Sequence, residues 1–349
     1  MPRLIIELTN RCNLRCQHCF AERHAATGDL PLVILAQVLQ EGKDCGITHL
    51  AFTGGEPTIH RQFPEIVARV GAAHYDWSMV SNGLNFPQIY PLLLRSRPWF
   101  TGVTFSLDGA REATHDQLRG SGAYRRVMRA ISCCVVTEIP FTLNMVLTAQ
   151  NRHEVAAMVG LATRLGSRGV RFGYLMPTLE TALRGLDLAP SERREVEAEI
   201  WRLQSQAAAP VVMAPGYFSA APFFPCAPLT LEEMNLDYQG NLTLCCQLSG
   251  HSGTNAGTDV MGNLRDISLA EAMGRFRQRV ATYLADKQAQ VEQGAFGGLD
   301  HYPCWYCLKY LDKVPWLEHF PQHPWAQEQH RTTTGKHHVY TGSARATTS

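Results

Sequence analysis

Cys12, Cys16 and Cys19 stand in the order C-x3-C-x2-C within the stretch CNLRCQHCF. Cysteine thiolates are ligands for zinc and for iron–sulfur clusters. A closed structural zinc site takes four ligands, and an iron–sulfur cube also takes four. This stretch supplies three, so a metal centre built on it keeps one position for another group. Further along lie Cys226, Cys245 and Cys246, and then Cys304 and Cys307. Cys226, Cys245, Cys304 and Cys307 make a second set of four thiolates. One CxxC pair with two distant partners suits structural zinc as well as iron–sulfur, and spacing alone does not choose. Cys246 reads as a packed thiol beside a ligand, with replacement of Cys245 as its alternative. Cys45, Cys133 and Cys134 fall inside helix-like segments and read as small buried hydrophobes.

The composition narrows the context for this chemistry. The chain has 349 residues, 45% hydrophobic and 18% charged, which is a globular profile long enough for one large domain or two smaller ones. Its formal net charge of +1 gives no general attraction to nucleic acid or to an anionic membrane. No apolar run approaches the roughly 20 residues that span a bilayer. The start, MPRLIIELTN, turns polar too soon for a secretory signal. The expectation is a cytoplasmic protein, where cysteines serve as metal ligands or packed thiols rather than disulfides.

The elements that must position these residues are legible as an alternation. Apolar strands are expected at 3–9, 49–55, 76–83, 99–109, 140–148 and 169–177. Helices are expected between them at 30–46, 62–74, 89–96, 123–136 and 153–166, with a charged helix from 191 to 208. Six strand–helix units in a row predict a parallel sheet with right-handed crossovers, an α/β fold of the partial (β/α)6 barrel type. Polar and glycine-rich residues follow the strand ends, the face that carries the chemistry in parallel barrels. From 210 the pattern changes. Prolines at 210, 215, 222, 225 and 228 mark loops, 235–246 reads as a hairpin turning near Gln239-Gly240-Asn241, and 268–293 reads as a long helix. Residues 327–349, rich in Thr, Ser and His, read as a disordered tail with solvated histidines.

The three-cysteine loop directly after the first strand resembles the signature of the radical S-adenosylmethionine superfamily. His18 stands where that signature has an aromatic residue before the third cysteine. Thr53-Gly54-Gly55-Glu56 after the second strand resembles the family's GGE motif. Ser81-Asn82, Ser106 with Asp108, Arg119 in DQLRGSGAY, Asn144 and Met176 occupy matching places at or after the later strands. The resemblance covers residues 3 to about 178, plus the cysteine-rich end.

The resemblance implies a 4Fe–4S cluster on Cys12, Cys16 and Cys19, with the open iron taken by the amino and carboxylate groups of S-adenosylmethionine. It implies that Glu56 accepts from the methionine ammonium and Arg119 pairs with its carboxylate. Ser106 and Asp108 fall where relatives contact the ribose and carboxylate, and Asn144 and Met176 near the ribose and adenine. It further implies reductive cleavage of the cofactor to a 5′-deoxyadenosyl radical, which takes a hydrogen atom from substrate. The spacing from Cys226 through Gly240 to Cys245, the segment GNLRDISLAEA and the CxxC pair resemble SPASM and twitch auxiliary-cluster domains. One auxiliary 4Fe–4S cluster is therefore expected, on Cys226, Cys245, Cys304 and Cys307, with zinc as its rival.

The expected organisation is a partial barrel over 1–209, a small cysteine-rich auxiliary-cluster domain over 210–326 and the tail over 327–349. The expected function is peptide or protein modification, as in ribosomal peptide maturation, with an electron donor such as flavodoxin or ferredoxin. Against it stands the first strand at residue 3, which leaves no room ahead of it for a leader-binding domain. Radical oxidation or rearrangement of a small molecule or cofactor precursor is the alternative, and a metal-stabilised non-catalytic binding module is the alternative of another class. No nucleic-acid or membrane partner is expected. The residue that finishes the reaction is not identified. Cys246, Asp237, Tyr238, His251, Asp259 and His301 are candidates only through their nearness to the auxiliary cysteines.

Overall fold

A computed structural model describes residues 2–19, 27–249 and 257–333. His251 and residues 334–349 lie outside the described residues. The chain begins with β1 (Arg3–Thr9), whose Leu4, Ile6 and Leu8 are fully buried at a period of two. Then come α1 (Leu32–Glu41), β2 (His49–Gly54), α2 (Phe63–Ala72), β3 (Asp76–Ser81), α3 (Phe86–Arg95) and β4 (Phe100–Ser106). Two helices follow in succession, α4 (Glu112–Arg119) and α5 (Ala123–Thr137). β5 (Phe141–Val146), α6 (Val155–Arg164) and β6 (Val170–Gly173) complete the expected alternation, and α7 (Leu179–Leu183), α8 (Pro190–Gln204) and β7 (Val211–Met213) extend it.

β1 to β7 lie side by side in chain order and all pair in parallel. Crossover helices cover the sheet, so strands such as β2 bury Leu50 and Phe52 against them. The arrangement is the expected partial barrel, carried one strand further. β7 falls in a proline-flanked stretch expected to be loop, and its three residues are too few to show a strand period.

The second half of the chain does not build a sheet of its own. β8 (Glu233–Leu236) pairs in parallel with β1, β9 (Asn241–Thr243) returns antiparallel to it as the expected hairpin, and β10 (Val260–Asn263) forms the edge. One ten-stranded sheet therefore crosses residue 209 from both sides. α9 (Leu269–Glu292) starts on Ser268, whose hydroxyl accepts from Glu271 N. Its buried Leu269, Met273, Phe276, Val280, Tyr283 and Lys287 recur every three or four residues along one face. α10 (Pro303–Tyr310) carries Cys304 and Cys307, and α11 (Pro324–Thr333) is helical through 327–333, where the tail was expected to begin. Trp325 anchors α11, fully buried against Trp305 and Tyr302. Among the described residues no helix is long and apolar enough to cross a membrane.

Candidate functional site

The loop after β1 is seated on the loop after β2. Gly55 N donates to Thr9 O at 2.8 Å and Glu56 N to Arg11 O at 2.9 Å. A Cβ at Gly54 would overlap Thr9 O, and one at Gly55 would overlap Arg11 O. The paired glycines therefore admit the backbone that leads into the cysteine loop.

Cys12, Cys16 and Cys19 line one wall of a cavity of about 230 Å³. Its other walls are the strand ends: Thr53, Gly54, Gly55 and Glu56 after β2, Ser81 and Asn82 after β3, Ser106 on β4, Asn144 on β5 and Met176 after β6. Arg119, at the end of α4, completes it. Those expected site residues are thus brought together. Asp108 is the exception.

Asp108 is fully buried and is not part of the cavity lining. Its carboxylate accepts Arg119 Nε in a very short contact, lies 3.2 Å from His18 Nε2 and accepts Val146 N at 2.9 Å. Burial alone would raise its pKa, but Arg119 and His18 outweigh that and hold it below the usual carboxylate range. The expected contact of Asp108 with cofactor is corrected accordingly: Asp108 grips Arg119 from behind. Arg119 in turn reaches Cys16, with Nη1 3.7 Å from Sγ. His18 is buried, burial lowers its pKa to about 4, and its Nε2 lies 3.2 Å from the Asp108 carboxylate.

Glu56 is also fully buried. Its Oε1 accepts Thr58 Oγ1 at 2.7 Å, Ser81 Oγ at 2.9 Å and Thr58 N at 3.3 Å, while Oε2 accepts Asn82 N at 2.8 Å. Its acceptor capacity is divided between Thr58 and the Ser81-Asn82 turn, with room for one further donor at Oε2. Sequence reasoning missed Tyr174, Arg171 and Gln247 in the lining. Alternation from Gly173 back to Arg171 on β6 was a usable signal. Gln247, from the far end of the chain, carried none.

The residues present fit a thiolate-bound cluster beside a charged small molecule. The sulfurs have N–H donors: Leu14 N at 3.4 Å and Asn82 Nδ2 at 3.8 Å from Cys12 Sγ, besides Arg119 at Cys16. Such donors stabilise and tune metal-bound thiolates. Burial raises the Cys12 thiol and pushes Cys16 up to about 11, so a bound cation is what would hold them ionised.

Cys226, Cys245, Cys304 and Cys307 line a second, apolar cavity, and Cys246 is not in its lining. Cys246 hydrogen-bonds Cys245, which with burial raises the Cys245 thiol. Burial pushes Cys226 up to about 12 and raises Cys304 and Cys307 as well. Among the described residues no three Cys, His, Asp or Glu side chains close on a single metal ion. Met176 and Gln247 line both cavities, so the two cysteine sets share one wall.

Of the remaining candidates, Asp237 is buried and accepts from Gln239 N and Asn241 N in the β8–β9 turn. Tyr238 packs on Gly28. Asp259 is paired with Lys313 at 2.8 Å, both buried, and His301 Nδ1 is 2.9 Å from Ser219 O. None of the four lines either cavity. Cys134 is buried as expected, while Cys45 and Cys133 are half-buried.

Comparison with known proteins agrees with this geometry. Residues 6–162 match the model of the Radical SAM superfamily. It is 28% identical over 174 residues to the PqqA peptide cyclase of Methylocella silvestris, covering 49% of this chain and 46% of that protein. It is 33% identical over 186 residues to the AdoMet-dependent heme synthase of Methanosarcina barkeri, covering 51% and 52%. It is 25% identical over 271 residues to the mycofactocin maturase MftC of Mycobacterium tuberculosis, covering 77% and 61%. The chain spans about half the length of the first two of these relatives. In fold it is similar to Streptococcus suis SuiB bound to the precursor peptide SuiA, with a TM-score of 0.62 at 15% identity over 77% of this chain and 64% of that one.

Proposed function

We propose that this chain is a radical S-adenosylmethionine enzyme that modifies a peptide or protein substrate. The observation that carries the reading is the convergence of Cys12, Cys16 and Cys19 on a cavity whose facing wall is the row of strand ends from Thr53 to Met176. When bound, the cluster and S-adenosylmethionine together supply a 5′-deoxyadenosyl radical that takes a hydrogen atom from substrate. The chain's own residues bind and orient. The three thiols would hold the cluster. Arg119, pre-set by Asp108, offers its free N–H groups to the methionine carboxylate. Glu56 Oε2 keeps an acceptor site for the ammonium. Ser106 and Asn144 suit the ribose, and Met176 suits the adenine. Burial of the site excludes water from a reactive intermediate.

Cys226, Cys245, Cys304 and Cys307 are read as ligands of one auxiliary 4Fe–4S cluster, with Cys246 beside it. The division at 209 is then one of function, barrel site before it and auxiliary site after it, on one shared sheet. The peptide reading is supported by the peptide cyclase and maturase relatives and by the likeness to a peptide-bound fold. A small-molecule reading is favoured by one observation, the 33% identity to a heme synthase. A soluble electron donor such as flavodoxin or ferredoxin in the cytoplasm completes the proposal, with no nucleic-acid or membrane partner.

The test is anaerobic reconstitution with iron and sulfide, followed by reduction in the presence of S-adenosylmethionine. Formation of 5′-deoxyadenosine is expected, and its stimulation by a peptide encoded beside the gene identifies the substrate class. Stimulation by porphyrin precursors and not by peptides would favour the small-molecule reading. No cleavage by protein carrying its full iron would leave a non-catalytic metal module.

A further inference from the structure

Arg193 and Lys287 are 2% and 3% exposed, yet neither forms an ion pair among the described residues. Buried cations are costly unless a counter-charge offsets them. Both are held by aromatic faces instead. The Arg193 guanidinium lies 3.8 Å over the Tyr174 ring and 4.7 Å from the Trp325 ring, with Nη2 donating to Leu175 O at 3.3 Å and Nε without a partner. The Lys287 ammonium lies 4.4 Å over Tyr306 and 5.1 Å from Phe296. Nearby carboxylates are engaged elsewhere. Asp187 accepts from Thr181 and faces His323, Glu197 accepts Phe218 N and faces Arg194, and Asp300 is paired with Lys309.

Each cation instead lies near one of the four thiols, Arg193 near Cys304 and Lys287 near Cys307. Tyr174, under Arg193, packs on Gly216, and a Cβ there would meet the Tyr174 ring at 2.7 Å and Cys304 Sγ at 2.9 Å. The Arg193–Tyr174 stack is thus separated from the Cys304 sulfur by one glycine. Toward Cys307, Tyr283 and Lys287 stand one turn apart on α9. The Tyr283 hydroxyl is 3.2 Å from Cys307 Sγ, and its ring packs edge-on against Tyr306, the ring beneath Lys287. Four thiolates outweigh the positive charge of the cube they bind, leaving a net dianion.

We propose that Arg193 and Lys287 are the counter-charges of the auxiliary centre, one near Cys304 and one near Cys307, and that they raise its reduction potential. The inference rests on reading the four thiols as iron–sulfur ligands. Low dielectric makes the attraction strong, and aromatic faces hold the cations in place without neutralising them. An added electron on the centre is stabilised by both.

The test is a reductive titration of the full-length, reconstituted protein followed by electron paramagnetic resonance. Arg193→Gln and Lys287→Met should each lower the midpoint potential of the auxiliary cluster. Arg193→Lys should restore it, and in Lys287→Met the cluster on Cys12, Cys16 and Cys19 should stay where it is as the internal reference. An unmoved auxiliary potential in Arg193→Gln and Lys287→Met, or an equal fall in Arg193→Lys, would overturn the inference. If Arg193→Gln fails to fold, Lys287→Met decides by the same outcomes. Metal analysis of the unsubstituted protein separates the two failures. Zinc on the four thiols removes the iron–sulfur reading and this inference with it, whereas an iron cluster with an unmoved potential removes this inference alone.

Discussion

Asp108 holds Arg119 at Nε, while Nη1 of the same guanidinium lies 3.7 Å from Cys16 Sγ. The arginine is thereby fixed between a buried carboxylate and the thiol that would carry an iron. It lines the cavity without having to give up its anchor.

Arg119→Ala should weaken S-adenosylmethionine binding about ten- to a hundredfold, since a charge-assisted hydrogen bond contributes about 1.5–3 kcal/mol. Asp108→Ala leaves a buried cation without its partner and should destabilise the fold by about 3–5 kcal/mol. Asp108→Asn keeps an acceptor and should cost less. Calorimetric binding and denaturant unfolding separate these effects, and an unchanged dissociation constant for a folded Arg119→Ala protein would reject the contact.

The two cysteine sets should be separable by iron content. Replacing Cys12, Cys16 and Cys19 with Ala should abolish 5′-deoxyadenosine formation and remove about half of about eight irons. Replacing Cys226, Cys245, Cys304 and Cys307 should remove the other half and loosen the carboxy-terminal region, because metal binding is coupled to folding. Substrate-free cofactor cleavage should survive that second replacement. Cys246→Ala should keep all the iron; a drop to half would make Cys246 a ligand.

Gly55→Ala puts a methyl group into Arg11 O. The clash lies between backbone atoms and has no flexible side chain to absorb it, so a cost of about 1–3 kcal/mol or more is expected. The cysteine loop should yield first. Reduced iron incorporation at the first site, with the auxiliary cluster's spectrum intact, is the expected signature, and wild-type loading of both sites would refute it.

Burial, with Glu7 facing it, raises the Asp237 pKa to about 6 despite hydrogen bonds from Asn241 and Gln239. The folded state therefore binds this proton more tightly than the unfolded chain does. Its stabilising share is present below the ordinary carboxylate pKa and is lost as pH rises through about 6. Between about pH 5 and about pH 7 the loss is on the order of 1 kcal/mol. Asp237→Asn should flatten that part of the stability profile in urea unfolding. A profile unchanged by the substitution would assign the pH dependence to other groups.

Much of this was written in local pattern. Strand–helix alternation with breaks at glycine and proline determined the parallel sheet, because those signals act over a few residues. The cysteine spacings and the polar residues following successive strands determined which positions share a cavity, since parallel strands in chain order put all their carboxy ends on one face. Partner choice was not local. Asp108 reads as a cavity residue in SLDG and is turned inward because Arg119, His18 and Val146 N meet it there from three separate parts of the chain. Glu56 reads as a ligand contact and is largely taken up by Thr58, Ser81 and Asn82. β8 beside β1, Gln247 in the wall of the first cavity and the aromatic seats of Arg193 and Lys287 each join segments far apart in sequence. Spacing determined which groups stand ready for chemistry, and tertiary packing decided which charge each group meets, because Coulomb energy and desolvation depend on neighbours through space rather than along the chain.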